Sequence, residues 1–162
     1  MIAALSLVVA VSGMQLSSSD FPAGGSIPRA NMATDCGGKN LTPELHWSAA
    51  PAGTKSFALI VRDPDAPIAG GFYHWVVYNI PASATSLKAG ATLQDLGANT
   101  TGNAAYYGPC PPPGPAHHYI FTLYALDVPQ VRADAPPSAA QLEQRMAGHV
   151  LARATLSAVA AH

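Results

Sequence analysis

The sequence predicts an all-β fold, mainly strands with few helices, and three observations carry that prediction. Three apolar runs of strand length are rich in β-branched and aromatic residues. Gly- and Pro-rich loops, rather than stretches of helical period, separate them, which favours an antiparallel core over βαβ units. Only 10% of the residues are charged while 49% are hydrophobic, against roughly 25% charged in an ordinary domain, so neither disorder nor a solvated helical bundle fits.

The elements follow in chain order. Residues 1–13, MIAALSLVVAVSG, are apolar but too short to span a bilayer, which takes about 20 residues. They read either as the remnant of an export signal, although no basic residue precedes Arg29, or as a first strand or ordered tail. Residues 14–162 then make one domain, long enough for a sizeable core. Leu45-His46-Trp47 is a short strand, and residues 56–61, SFALIV, are a buried one. Residues 74–80, HWVVYNI, are the next, ended by Pro81. Residues 82–103 are polar and small, a surface excursion with little regular structure. Residues 119–126, YIFTLYAL, form the third clear strand. Ser138 and Gln141 then spell a capping box, in which the Ser hydroxyl takes the N3 amide and the Gln side chain reaches back. Leu142, Met146 and Val150 continue as one apolar helical stripe. Gly148 interrupts it, so residues 149–156 are alternatively a last strand.

Charge and cysteine usage narrow the function classes. The net charge is −1 and the eight basic residues are scattered, so no nucleic-acid footprint exists, and no basic amphipathic helix suggests a membrane surface. Cys36 and Cys110 lie far apart without a C-x-x-C, which argues against structural zinc. They pair if the protein is exported, and otherwise stay two half-buried thiols. A periplasmic or secreted location is favoured over the cytoplasm. The sequons at Asn40 and Asn99 matter only in a eukaryotic secretory context, which the Ala-rich composition does not support.

The chemistry-bearing residues form three groups. In Asp63-Pro64-Asp65-Ala66-Pro67 the prolines stiffen a loop at a strand exit. Its acids either face a pocket mouth or accept backbone amides within the turn, and Asp65 is the one expected to be structural. His74 opens one apolar strand, and His117-His118 open another, which can bring imidazoles to one end of a sheet beside the acids. In the loop Gly108-Pro109-Cys110-Pro111-Pro112-Pro113-Gly114, Cys110 alone between the two glycines has a backbone N–H to give. That amide either serves a ligand oxygen, or the loop is a polyproline surface read by another protein.

Taken in order, these segments resemble the phosphatidylethanolamine-binding protein family, also called Raf-kinase-inhibitor-like proteins. The resemblance is carried by Asp35-Cys36-Gly37-Gly38, by residues 40–47, by Asp63-Pro64-Asp65-Ala66-Pro67, by residues 73–81, by Gly108-Pro109-Cys110-Pro111-Pro112 and by His117-His118-Tyr119. The short chain and the Cys-Pro-Pro form are similar to the bacterial and archaeal branch. The resemblance implies a large antiparallel sheet packed against a smaller one, and a pocket for phosphate, acetate or a phosphoethanolamine-like head group. It places Asp63, Pro67, His74, Cys110, Pro111, Pro112, His117 and Tyr119 along that pocket. It further implies a cis peptide at Ala66–Pro67. Where the family carries Arg between the His and the Tyr, this chain has His118, which puts that salt bridge in doubt. The C-terminal helix of the mammalian branch, with its pocket-lining Tyr, has no counterpart.

Three functional expectations follow. The first is a binding protein without enzymatic activity, cofactor or metal, taking an anion in the pocket with affinity that falls as pH rises through the His range. The second is an inhibitor of a protease or kinase, acting through the loops around the pocket; a homodimer is compatible with either. The third is a metal-dependent phosphoester hydrolase using Asp63, His74 and His117, which no H-E-x-x-H, G-x-S-x-G, P-loop or zinc spacing accompanies.

Overall fold

Seven strands and one α-helix carry the fold, in a computed structural model that describes residues 13–162. They are β1 (Gln15–Ser18), β2 (Leu45–Ser48), β3 (Ser56–Asp63), β4 (Phe72–Pro81), β5 (Ser86–Leu87), β6 (His117–Leu126), α1 (Ala139–Met146) and β7 (Val150–Ala160). The larger sheet runs β4-β3-β6-β7 and the smaller one β1-β2-β5, and every pairing is antiparallel. This is the expected large sheet on a small one. Apart from Gly13, the N-terminal segment read as a signal remnant or strand lies outside the described residues.

Strand β3 shows why its run is almost wholly apolar. Phe57, Leu59 and Val61 join Leu16, Leu45, Trp47 and Leu87 of the small sheet in one core. Their neighbours Ala58 and Ile60 point the other way, onto Leu142 and Met146 of α1. A strand covered on both faces has no use for alternating polarity. The capping box forms as written, with Ser138 Oγ accepting from the Gln141 N–H and the Gln141 side chain accepting from the Ser138 N–H. The stripe, however, stops at Met146. Gly148 takes φ +81°, where L side chains are strained, and Val150 opens β7 instead of a further helical turn.

The excursion 82–103 does more than cross the surface. Tyr78 N–H donates to the Asp95 carbonyl, Gly97 N–H to Val76, and Thr100 N–H to Tyr73, so 95–100 covers the outer edge of β4. An open edge would invite another strand, and this one is closed by its own chain. Both sequon asparagines are spent inside the fold. Asn99 Oδ1 accepts from the Thr101 amide and hydroxyl, and Asn40 holds Tyr106 and Gly108.

Candidate functional site

The site lies where β3 ends and β6 begins, with β4 beside them. Asp63 is the last residue of β3 and His117 the first of β6. His74 reaches the same place through an irregularity. Val61 pairs with Trp75 and Arg62 with Tyr73, so His74 is the extra residue of a β-bulge. The bulge breaks the alternation: Trp75 packs in the small-sheet core while Tyr73, two residues away, packs on the opposite one. It also hands the His74 carbonyl to the Tyr107 N–H, at 2.9 Å.

All eight expected residues come together. Asp63, Pro67, His74, Cys110, Pro111, Pro112, His117 and Tyr119 line one cavity of about 200 Å³, with Ala66, Ile68, Phe72 and Tyr107. The first three of these four carried no polar signal in the sequence. Tyr107 is the first residue of the Pro-rich segment 107–114 that the sequence singles out. Phe72 and Tyr107 stack as tilted aromatics, 4.5 and 6.3 Å from the His74 ring. A larger hollow between the end of β4 and residues 84–95 is built mostly from apolar side chains and brings none of the expected residues.

Asp63 is buried, and both of its oxygens accept hydrogen bonds. Its Oδ1 accepts from the amides of Asp65 (2.8 Å) and Ala66 (3.1 Å), and its Oδ2 accepts from His117 Nδ1 at 2.7 Å. The carboxylate accepts backbone amides within its turn and also lines the cavity, where it orients an imidazole. Gly71 closes the turn behind it at φ +78°, and a Cβ there would strike the Asp63 carbonyl. The Ala66–Pro67 peptide is trans, as are all peptide bonds among the described residues, so the implied cis bond is corrected. The turn closes through Ala66 N–H to Asp63 and Ile68 N–H to the Ala66 carbonyl, with the isomer that a tertiary amide ordinarily favours.

His74 is held in one orientation by the loop before β6. Its Nδ1 lies 2.6 Å from the Tyr107 carbonyl, which can only accept, so Nδ1 carries the proton and Nε2 the lone pair. Burial pushes its pKa down to about 4, outweighing the Tyr107 hydrogen bond and the Asp63 charge, which raise it. The ring is neutral at physiological pH. Its Nε2 is buried with no partner, and so is the Tyr119 hydroxyl. Burial also raises the Tyr119 pKa, keeping the phenol protonated.

The Pro-rich loop is bolted down on the side away from the cavity. Pro109 C=O accepts from Ala33 N–H, and Gly108 N–H donates to Asn40 Oδ1 at 2.7 Å. Gly108 lies so close to Asn31 and Ala33 that a Cβ would come within 2.5 Å of their backbone atoms. Cys110 is joined to Cys36 in a disulfide, which resolves the open question of the two thiols. The bridge spans 74 residues of chain, and closing a loop of that length stabilises by about 4 kcal/mol in the chain-entropy view. No hydrogen bond among the described residues uses the Cys110 N–H. His118, where the family pattern has Arg, is hydrogen-bonded to Asp65. Its backbone N–H and its Nδ1 both reach Asp65 Oδ2, at 2.8 and 2.7 Å. Among the described residues, no three His, Cys, Asp or Glu side chains are grouped to hold a metal ion, and no helix is long and apolar enough to cross a membrane.

Comparison with known proteins identifies the family. The model of the family described as phosphatidylethanolamine-binding protein matches residues 17–161. The chain belongs to that family. It is 37% identical over 156 residues to YbhB of Escherichia coli K12, covering 90% of this chain and 99% of that protein. It is 40% identical over 134 residues to YbcL of the same organism, covering 76% and 73%. The crystal structure of Escherichia coli YbcL, described as a member of the mammalian family, superposes with a TM-score of 0.86 over 92% of this chain and 98% of that one, at 35% identity. That of a Chlamydia trachomatis homologue gives 0.85 at 36% identity, covering 93% and 99%. Membership makes the chain a small binding protein of the bacterial type within the phosphatidylethanolamine-binding protein family.

Proposed function

We propose that this protein works by binding a small oxyanion, a phosphate, acetate or phosphoethanolamine-like head group, in the cavity between Asp63 and Cys110, without turning it over. One observation carries the reading. His74 and Tyr119, whose Nε2 and hydroxyl are buried without partners, line the cavity together with Cys110, whose amide no hydrogen bond among the described residues uses. Leaving a buried polar group unpaired costs about 1–3 kcal/mol, so such a set is what a polar ligand would relieve. The cavity, about 200 Å³, suits a single head group and is below the range of drug-sized pockets, ~300–1,000 Å³. His117, oriented by Asp63, supplies a charge-assisted donor when protonated.

The test is calorimetric titration of the protein with inorganic phosphate and with phosphoethanolamine, repeated on Tyr119→Phe. Binding in the native chain, weakened roughly tenfold by loss of the hydroxyl, is the expected result. Absence of heat with both ligands would defeat the reading. A second reading is favoured by the mouth of the site, where exposed Ile68 and the Pro-rich loop present apolar surface around the polar floor. In that reading a protease or kinase is held there and inhibited. Inhibition of a test panel that persists when Ile68 is changed to Asp would count against it.

A further inference from the structure

The loop that walls the cavity changes character at Cys110. Up to Pro109 it is held by hydrogen bonds to residues 31–40. Tyr106 OH donates to the Asn31 carbonyl, Ala33 N–H to the Pro109 carbonyl, Asn40 Nδ2 to the Tyr106 carbonyl, and Gly108 N–H to Asn40 Oδ1. Tyr107 OH reaches Asp35 as well, at 3.3 Å. From Cys110 to Ala116 no hydrogen bond among the described residues is made, and β6 begins only at His117. Four of these seven residues are prolines, which have no N–H to give. Pro111 is buried, and residues 112–116 are exposed. The Cys36–Cys110 bridge is thus the last bond that ties the loop to the body of the protein before β6. Neither hydrophobic core includes Cys36 or Cys110.

We propose that this bridge is a redox latch on the cavity wall: a dithiol reductant that opens it releases residues 110–116 and leaves residues 106–109, and the fold, in place. Pro111 and Pro112 lie on that wall, so the latch sets the shape of the cavity. Cys36 is 6% exposed, whereas Cys110 is half-buried and lines the cavity, so the reductant's thiolate meets the Cys110 sulfur. It forms a mixed disulfide with Cys110, and Cys36 leaves as a thiolate that takes up a proton. The second thiol of the reductant then displaces Cys110, whose sulfur is protonated in turn. Two electrons pass to the bridge, and the reductant ends as its own disulfide. The released loop keeps only the packing of Pro111 against its regained conformational entropy.

The experiment compares the wild-type chain with the bridge formed and the same chain held in dithiothreitol, by nitrogen NMR relaxation of the backbone amides. Cys110 alone between Gly108 and Gly114 has a backbone N–H, so its amide reports on the latch directly. Its order parameter is expected at about 0.85 in the oxidised protein, as for rigid backbone, and below about 0.6 in the reduced one. Gly108, bonded to Asn40, stays rigid in both, as do β3 and β6. A Cys110 amide as rigid after reduction as before overturns the proposal. So does loosening that runs through Gly108 into the strands, or loss of the fold, since the bridge is then a staple of the whole domain. Control of binding by the latch rests on the oxyanion reading above, and phosphate titration of both forms tests it. Phosphate is expected to bind about tenfold more weakly when the bridge is open, because ordering the loop then costs binding energy. If phosphate binds neither form, the oxyanion reading fails and the Cys110 amide still decides the latch. If it binds both alike, that reading stands and the latch as a control of the site is overturned.

Discussion

Two Asp–His pairs sit almost side by side in this protein, alike in chemistry and both 2.7 Å long, yet they do different things. Asp63 holds His117, and Asp65 holds His118. The side chains of the first pair are 4% and 13% exposed, those of the second 42% and 59%. The partition follows from strand geometry, because His117 and His118 are consecutive in β6 and must point to opposite faces. One pair is turned into the cavity beside Tyr119, and the other is turned to water. Composition of a pair therefore says little about its role. Its side of the sheet decides whether the pair is shielded from solvent and faces the cavity.

Removing the buried acid should have the largest effect. Asp63→Asn can keep the two turn amides on its Oδ1, but its NH₂ then meets the His117 Nδ1–H and the buried Asp63–His117 hydrogen bond is lost. We expect a loss of about 3 kcal/mol in urea unfolding, at the lower end for breaking a buried pair because the turn bonds survive. Phosphate binding should weaken in parallel, since His117 is no longer oriented. A change below about 0.5 kcal/mol would show that burial does not separate the two pairs after all.

Much of this contrast was readable before any coordinates, and the rest was not, for identifiable reasons. The apolar run that became β3, the capping box of Ser138 and the cavity residues from Asp63 to Tyr119 were legible because each rests on local residue types or on motif order. The bulge at His74 was not, since it appears only when β4 is paired with β3. Nor was the tautomer of His74, which depends on a carbonyl 33 residues away. Strand β1, with sequence QLSS, carries a single buried apolar side chain and no periodic signal to find. Phe72 and Ile68 line the cavity without polar atoms, so no chemical reading would have selected them. The implied cis bond before Pro67 failed because hydrogen bonds of the Asp63 turn close the loop with the trans form.

Acid sharpens the comparison next. His74 shares the buried side with Asp63, and its pKa falls from 6.5 in an open chain to about 4 in the fold. The unfolded chain then binds more protons between these values, so stability is complete above about pH 6.5 and is lost as pH falls through that window toward 4. The full shift is worth roughly 3 kcal/mol, reached only at the acid end. Urea unfolding at a series of pH values should show this slope in the wild-type protein and a shallower one in His74→Gln. Equal slopes would place the acid sensitivity elsewhere.

The smallest effect belongs to the solvent-facing pair. His118 gives both a backbone and a ring hydrogen bond to Asp65, and the backbone bond is the first cause of the lowered Asp65 pKa. Above the ordinary carboxylate range this ionised form is present whatever the neighbours do, and water competes for the exposed carboxylate. Asp65→Asn keeps an acceptor for the His118 N–H, so the expected loss is the smallest of the three and shrinks further in molar salt, as for other exposed pairs. Phosphate affinity should stay unchanged, because neither Asp65 nor His118 lines the cavity. If Asp65→Asn instead weakened phosphate as much as Asp63→Asn does, the loop between them would be transmitting the exposed pair to the pocket. The side of the sheet would then no longer be what separates the two pairs.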